Sequence, residues 1–306
     1  MTKTIAITTS GFDMANPLLR DFEANNWTIV RNEFGRRMTA SEVSDLLARS
    51  NTSAMIAGVE PLNRDVFDAN PQLELISRCG SGVDSVDLVA AEESGIAVLR
   101  TPEAPAEAVA ELTISLAIAV LRRVGEADRL IREGEWQALM GRSYGRSRVG
   151  IAGLGHVGSR VASVSVALGA EVGYTDHFVD SSDYRRFDDV LELAEWADVL
   201  TIHLPHDADT HNTVNAEVLA ALGVDGVVVN TARGGLVDEE ALYVALKDNQ
   251  IAGAALDVFA AEPYAGPLGT LPNVILTCHM GSYARQVRGA METKALRNAM
   301  EHLGIA

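Results

Sequence analysis

The stretch from Arg148 to Asp176, RVGIAGLGHVGSRVASVSVALGAEVGYTD, decides the fold. It opens on an apolar run, Val149 to Ala152, too short for a helix and β-branched enough for a buried strand. The run enters Gly153-Leu154-Gly155-His156-Val157-Gly158, and Val157 to Leu168 then carries small and apolar residues at helical spacing. A second β-like run, Glu171 to Thr175, ends on an acid, Asp176. Strand, glycines, helix, strand and acid form the dinucleotide fingerprint. Gly153 is suited to the tight turn, Gly155 to close approach of a pyrophosphate and Gly158 to packing of helix on strand. His156 and Val157 open the helix, where free N–H groups meet an anion.

Short apolar runs alternate with amphipathic ones on both sides of this unit. Before it, strands are expected at Thr4–Thr8, Trp27–Arg31, Ala54–Val59, Leu73–Cys79 and Ala97–Leu99, with helices between. After it, strands are expected at Val199–Leu204, Val227–Thr231, Gly253–Val258 and Val274–Thr277. Such alternation means parallel, doubly wound sheets, and 306 residues favour two domains over one. A long apolar helix is expected from about Ala106 to Val124, linking domains or packing on another subunit. The tail from Tyr283 to His302 reads as one amphipathic helix.

Composition narrows the function. A net charge of −17 with no basic stripe argues against nucleic acid as a partner. The most apolar segment, Leu112 to Leu121, is too short to span a membrane, and no stretch reads as a signal peptide. Cys79 and Cys278 form no metal-binding spacing and fit a reducing cytoplasm. His203, His206 and His211 match no strong zinc pattern, so no metal is expected.

Three loops join polar residues to the ends of expected strands: Asn230 to Gly235 with Arg233, Leu256 to Pro263 with Asp257 and Glu262, and Thr277 to Gly281 with His279. Alone, Arg233 reads more readily as a surface salt bridge, the two acids read more readily as caps, and His279 reads equally as a structural histidine. Together they read differently. An arginine can grip a carboxylate with two hydrogen bonds, a histidine can move a proton, and a glutamate can hold its tautomer. With a nicotinamide, that set suffices to interconvert a 2-hydroxy acid and a 2-keto acid.

The motifs SRCGSGVDSVDL, AEAVAELT, GIAGLGHVG with Asp176, TIHLPHDADT, NTARGGLVDEEAL, GAALDVFAAEP and PNVILTCH follow one another between Leu75 and Gly281. In this order they resemble the NAD-dependent D-isomer-specific 2-hydroxyacid dehydrogenases, most nearly the phosphoglycerate dehydrogenase branch. The resemblance implies a Rossmann NAD-binding domain, residues 101–280, inserted in a discontinuous flavodoxin-like substrate domain, residues 1–100 and 281–306. It implies Arg233 on the substrate carboxylate, His279 as general acid and base, and Glu262 as its partner. Arg78, Ser81, Gly82 and Val83 would hold the substrate, Arg78 near a phosphate. Pro205, Thr231, Ala232, Asp257 and Gly281 would border the cofactor, beside Arg233 and His279. NAD is expected over NADP, since Asp176 repels a 2′-phosphate and neither Thr175 nor His177 is an arginine. A homodimer in the cytoplasm is also expected. A hydroxypyruvate or glyoxylate reductase and a non-enzymatic NADH-sensing corepressor are the alternatives. The family's usual proline before the catalytic histidine is Cys278 here, and its usual leucine-threonine after Pro205 is His206-Asp207.

Overall fold

A computed structural model describes residues 3–180 and 183–305, which divide into two units. The first comprises residues up to Pro105 and those from Tyr283 onward. Its elements are β1 (Lys3–Ile7), α1 (Leu18–Ala24), β2 (Trp27–Arg31), α2 (Ala40–Arg49), β3 (Ala54–Ala57), α3 (Arg64–Asp68), β4 (Leu75–Arg78), α4 (Leu88–Glu93) and β5 (Ala97–Leu99). The strands are all parallel, in the order β2-β1-β3-β4-β5 of a flavodoxin-like sheet.

The second unit runs from Ala106 to Ser282. It begins with α5 (Ala106–Leu121) and α6 (Val124–Arg132), then enters β6 (Arg148–Ala152), α7 (His156–Ala167), β7 (Glu171–Thr175) and the two-residue β8 (Arg185–Arg186). It continues through α8 (Val190–Trp196), β9 (Val199–Ile202), α9 (Ala216–Leu222), β10 (Val227–Asn230), α10 (Glu239–Lys247), β11 (Gly253–Leu256) and β12 (Val274–Leu276). The order β12-β11-β10-β9-β6-β7-β8, parallel throughout, reverses between β6 and β9 as in a Rossmann sheet. Finally α11 (Arg285–Leu303) returns to the first unit.

Strand side chains alternate between two buried faces, which is why these segments read as unbroken apolar runs. In the first unit Ile5, Ile7, Ile56 and Leu75 pack on one face, and Ala6, Met55, Ala57 and Ile76 on the other. Each fully buried isoleucine or leucine contributes roughly 1.5–3 kcal/mol. Met291, Ala295, Leu296 and Ala299 of α11 complete the first of those faces, so the chain's last helix belongs to the same core as its first strand. In the second unit Val149, Ile151, Val199 and Val229 alternate with Ala152, Leu200, Ile202 and Val228 in the same way.

Most expected strands end one or two residues early, because β-branched or apolar residues continue past the last ladder bond. The larger difference is at the long helix. It stops at Leu121, Arg123 turns left-handed (φ 53°), and α6 starts at Val124. None of the α6 side chains is buried, so it contributed no core pattern to read. The all-round apolarity of α5 has a cause inside its own unit: it packs on β10 and β11 on one side and on α7 on another. Among the described residues no helix is long and apolar enough to cross a membrane.

Candidate active site

Ligands of open parallel sheets bind beyond the carboxyl ends of the strands, where the strand order reverses. In the second unit that point is the end of β6. Gly153 there has φ +94°, and a Cβ on it would lie 2.9 Å from the His203 carbonyl. A Cβ on Gly158 would come within 2.0 Å of the Gly153 oxygen, so only glycine lets α7 start this close to the strand. Gly155 differs: nothing lies within 4 Å of where its Cβ would be. It caps α7 without a side-chain bond, leaving the N–H groups of the first turn, from His156 and Val157 onward, directed at open space. A tight turn, an open glycine and an uncapped helix start fit a dinucleotide pyrophosphate.

Asp176 closes the cradle at the end of β7. Its Oδ2 accepts from Leu154 N at 2.7 Å, and its Oδ1 from Phe178 N and Val179 N at 2.7 and 2.9 Å. Burial raises its pKa, but these three N–H groups outweigh that and hold the carboxyl below its ordinary range. Neither Thr175 nor His177 beside it is an arginine, yet Arg186 of β8 reaches the Asp176 carbonyl oxygen at 3.3 Å. Ten residues of chain separate the two, which hides the pairing in the sequence.

The three polar loops are tied together within the second unit. Arg233 follows β10, its Nη1 donating to the Ala232 carbonyl at 2.6 Å. Asn230 braces the turn by accepting from Ala232 N and donating to the Arg233 carbonyl. Thr231 is buried and shares a 2.7 Å hydrogen bond with Thr113 of α5. Next to the arginine, a Cβ on Gly234 would stand 1.8 Å from the Phe259 carbonyl carbon, so this glycine presses the arginine loop onto the loop that carries Glu262. Glu262 Oε1 accepts from Phe259 N, and its Oε2 lies 2.8 Å from His279 Nδ1. A carboxylate only accepts, so Nδ1 carries the proton of that bond and Nε2 is left for proton exchange.

His279 sits at φ +55°, a region uncommon outside glycine and concentrated at functional sites. Asp257 holds it there. The Asp257 carbonyl accepts from His279 N at 2.8 Å, while its carboxylate accepts from Thr277 Oγ1, Met280 N and Gly281 N. Being 1% exposed, Asp257 acts here as the anchor of the histidine loop. Cys278 is exposed with a free thiol.

Pro205 begins an exposed turn, its carbonyl accepting from Thr210 Oγ1. The His206 ring lies over Gly235 and meets His211 at 3.2 Å, beside the arginine loop. His203 is different: burial pushes its pKa down to about 3, which keeps it neutral. Among the described residues no three His, Cys, Asp or Glu side chains are grouped to hold a metal ion. A cavity of about 540 Å³ beside Val120, Met140 and Val227 lies at the amino end of β10, away from these loops.

In the first unit Ser81, Gly82 and Val83 form a partly exposed loop beyond β4. Arg78 is 6% exposed, folded beneath Gly80 with Nη1 donating to the Cys79 carbonyl at 3.0 Å. Sequence reasoning missed what stands at this sheet's own reversal point, between β1 and β3. Glu60, 1% exposed, accepts from Thr8 Oγ1 and from Gly58 N. Alongside, Arg288 of α11 donates to Thr9 Oγ1 and to the Ser10 carbonyl, and Glu292 accepts from Asp13 N. Burial raises the Glu292 pKa against the opposing pull of Asp13 N–H and Arg288. Only strand order brings these residues together, so no local motif announces them.

A family model described as the D-isomer specific 2-hydroxyacid dehydrogenase NAD-binding domain matches residues 114–281, over half of the chain. The protein belongs to the D-isomer specific 2-hydroxyacid dehydrogenase family. It is 36% identical over 270 residues to a D-3-phosphoglycerate dehydrogenase of Methanocaldococcus jannaschii, covering 85% of this chain but spanning about half of that protein, 51%. It is 37% identical to a 2-ketogluconate reductase of Gluconobacter oxydans, covering 90% of this chain and 92% of the other. An NADPH-dependent glyoxylate/hydroxypyruvate reductase from Sinorhizobium meliloti superposes with a TM-score of 0.83 at 30% identity, over 99% of this chain and 96% of the other.

Proposed function

We propose that the protein is an oxidoreductase that interconverts a small D-2-hydroxy acid and its 2-keto acid with NAD. The observation that carries this reading is the 2.8 Å His279–Glu262 pair, on a loop packed by Gly234 against the loop of Arg233. When bound, the nicotinamide supplies or accepts the hydride at substrate C2. Arg233 pairs with the substrate carboxylate and orients it. In reduction His279 Nε2 gives a proton to the keto oxygen, and in oxidation it takes the hydroxyl proton. Glu262 keeps the ring turned with Nδ1 protonated, and Asp257 holds the backbone under it. Asp176 favours NAD by accepting from the adenosine ribose hydroxyls.

A panel of 2-keto acids, phosphorylated and unphosphorylated, assayed with NADH tests the reading and names the substrate. The phosphoglycerate branch remains one expectation, supported by the motifs. A hydroxypyruvate- or glyoxylate-type substrate is favoured by the burial of Arg78, whose guanidinium is turned onto its own loop. Under this second reading Arg78→Ala raises the Michaelis constants of both kinds of keto acid alike; a rise confined to the phosphorylated one restores the first. Lack of turnover with every keto acid, despite NADH binding, would instead point to a sensor. The protein is also proposed to form a homodimer through the α5–α6 region, supported by exposed Val124 and Ile131 and by Trp136 and Met140, 93% and 88% exposed. Light scattering at micromolar concentration checks this. Two free cysteines support a reducing, cytoplasmic setting.

A further inference from the structure

The two arginines of β8 do different work. The strand pairs in parallel with β7, Gly173 opposite Arg185 and Tyr174 opposite Arg186. Successive side chains on a strand face opposite ways. Arg185 lies over the rings of Phe187 and Trp196, at 4.6 and 5.7 Å, and is occupied with aromatic surface. Arg186 faces the acid loop: its Nη2 donates to the Asp176 carbonyl at 3.3 Å. Its guanidinium is half-exposed, and Asp180, 3.9 Å away, has a side chain 87% exposed. A pair that loose in water is worth little and exchanges easily.

The Asp176 carboxylate is not a free anion either. Its two oxygens already accept three backbone N–H bonds, which disperse its charge. Each carboxylate oxygen accepts about two bonds, so room remains mainly on Oδ2. The adenosine end of the site therefore combines a partly satisfied acid with an exchangeable guanidinium on the neighbouring strand.

We propose that Arg186 lets this site accept a ribose 2′-phosphate, so that the protein binds NADPH as a second cofactor beside NADH. The inference rests on reading the second unit as a nicotinamide-dinucleotide site. Asp176 repels the added phosphate, while the planar Arg186 guanidinium takes two of its oxygens at once and gives up its contact with Asp180. The two opposed charges leave a preference for NADH but not exclusion of NADPH.

Calorimetric titration of NADH and NADPH into the whole protein tests this without relying on turnover. Wild type is expected to bind both, NADH more tightly. Arg186→Ala is expected to widen the ratio of the two dissociation constants by about tenfold, the worth of one lost charge-assisted contact. Arg186→Lys should recover part of the change, and Arg185→Ala should leave the ratio unaltered. The inference is overturned if wild type binds NADH alone, or if Arg186→Ala leaves the ratio where it was. It also falls if Arg185→Ala widens the ratio as much. If neither cofactor binds, the reading of the second unit fails, and the inference fails with it.

Discussion

The two units use the same architecture in contrasting ways. Both are parallel sheets covered by helices, and both gather polar groups beyond their carboxyl edges. In the second unit those groups come from short loops, two of which brace themselves: Asn230 holds Arg233, and Phe259 N–H holds Glu262, while Asp257 anchors the His279 loop from the neighbouring strand. In the first unit the polar groups are drawn from β1, β3, β4 and α11, with Arg288 reaching Thr9 across 279 positions of sequence. The difference teaches where chemistry is encoded locally and where it is assembled by topology.

The largest effect is expected at His279 of the second unit. His279→Ala is expected to lower kcat for reduction of the best 2-keto acid by about 10²- to 10⁴-fold, the usual worth of a positioned acid–base group. Glu262→Gln keeps the shape but removes the charge, and a smaller loss, about tenfold, is expected. If both variants turn over like wild type, the tight loops of the second unit are only structural.

The buried network of the first unit has its own test in pH. Burial pushes the Cys79 thiol up to about 11, from an ordinary value of 9.0. A raised folded-state pKa contributes stability that is complete below pH 9 and is lost as pH climbs toward 11. The loss is on the order of 2–3 kcal/mol. Urea unfolding at pH 8 and 10.5 should show this loss in wild type and a smaller one in Cys79→Ala. Parallel behaviour of the two proteins would mean that Cys79 is better solvated than its packing indicates.

Two glycines separate packing from ligand binding in the second unit. Gly158→Ala forces a Cβ against the Gly153 carbonyl and is expected to cost about 1–3 kcal/mol of stability. Gly155→Ala meets open space, so its stability should stay within about 0.5 kcal/mol of wild type while NADH affinity falls. Matching stability losses in the two would refute the distinction.

The smallest effect concerns a device in the first unit that is as local as the loops of the second. Thr39 caps α2 by accepting from Glu42 N, and Glu42 returns a bond to Thr39 N at 2.8 Å. Thr39→Ala is expected to cost about 1 kcal/mol in urea unfolding. No loss would show that even this motif is governed by its tertiary surroundings.

Sequence alone determined the parallel α/β plan, because strands buried on both faces must be apolar throughout and helices between them must be two-sided. It also determined the glycine cradle, whose turn admits few residue types, while the pairing of Glu262 with His279 was legible only through the resemblance of their motifs to a family. Tertiary structure decided the rest. It placed Arg78 under its own loop, set Glu60 and Arg288 at the β1–β3 reversal, split α6 from α5, and brought Arg186 to Asp176. The Glu60–Arg288 and Arg186–Asp176 groupings have no local signature, because each depends on which strands become neighbours and which faces close, and that outcome belongs to the packing of the whole sheet.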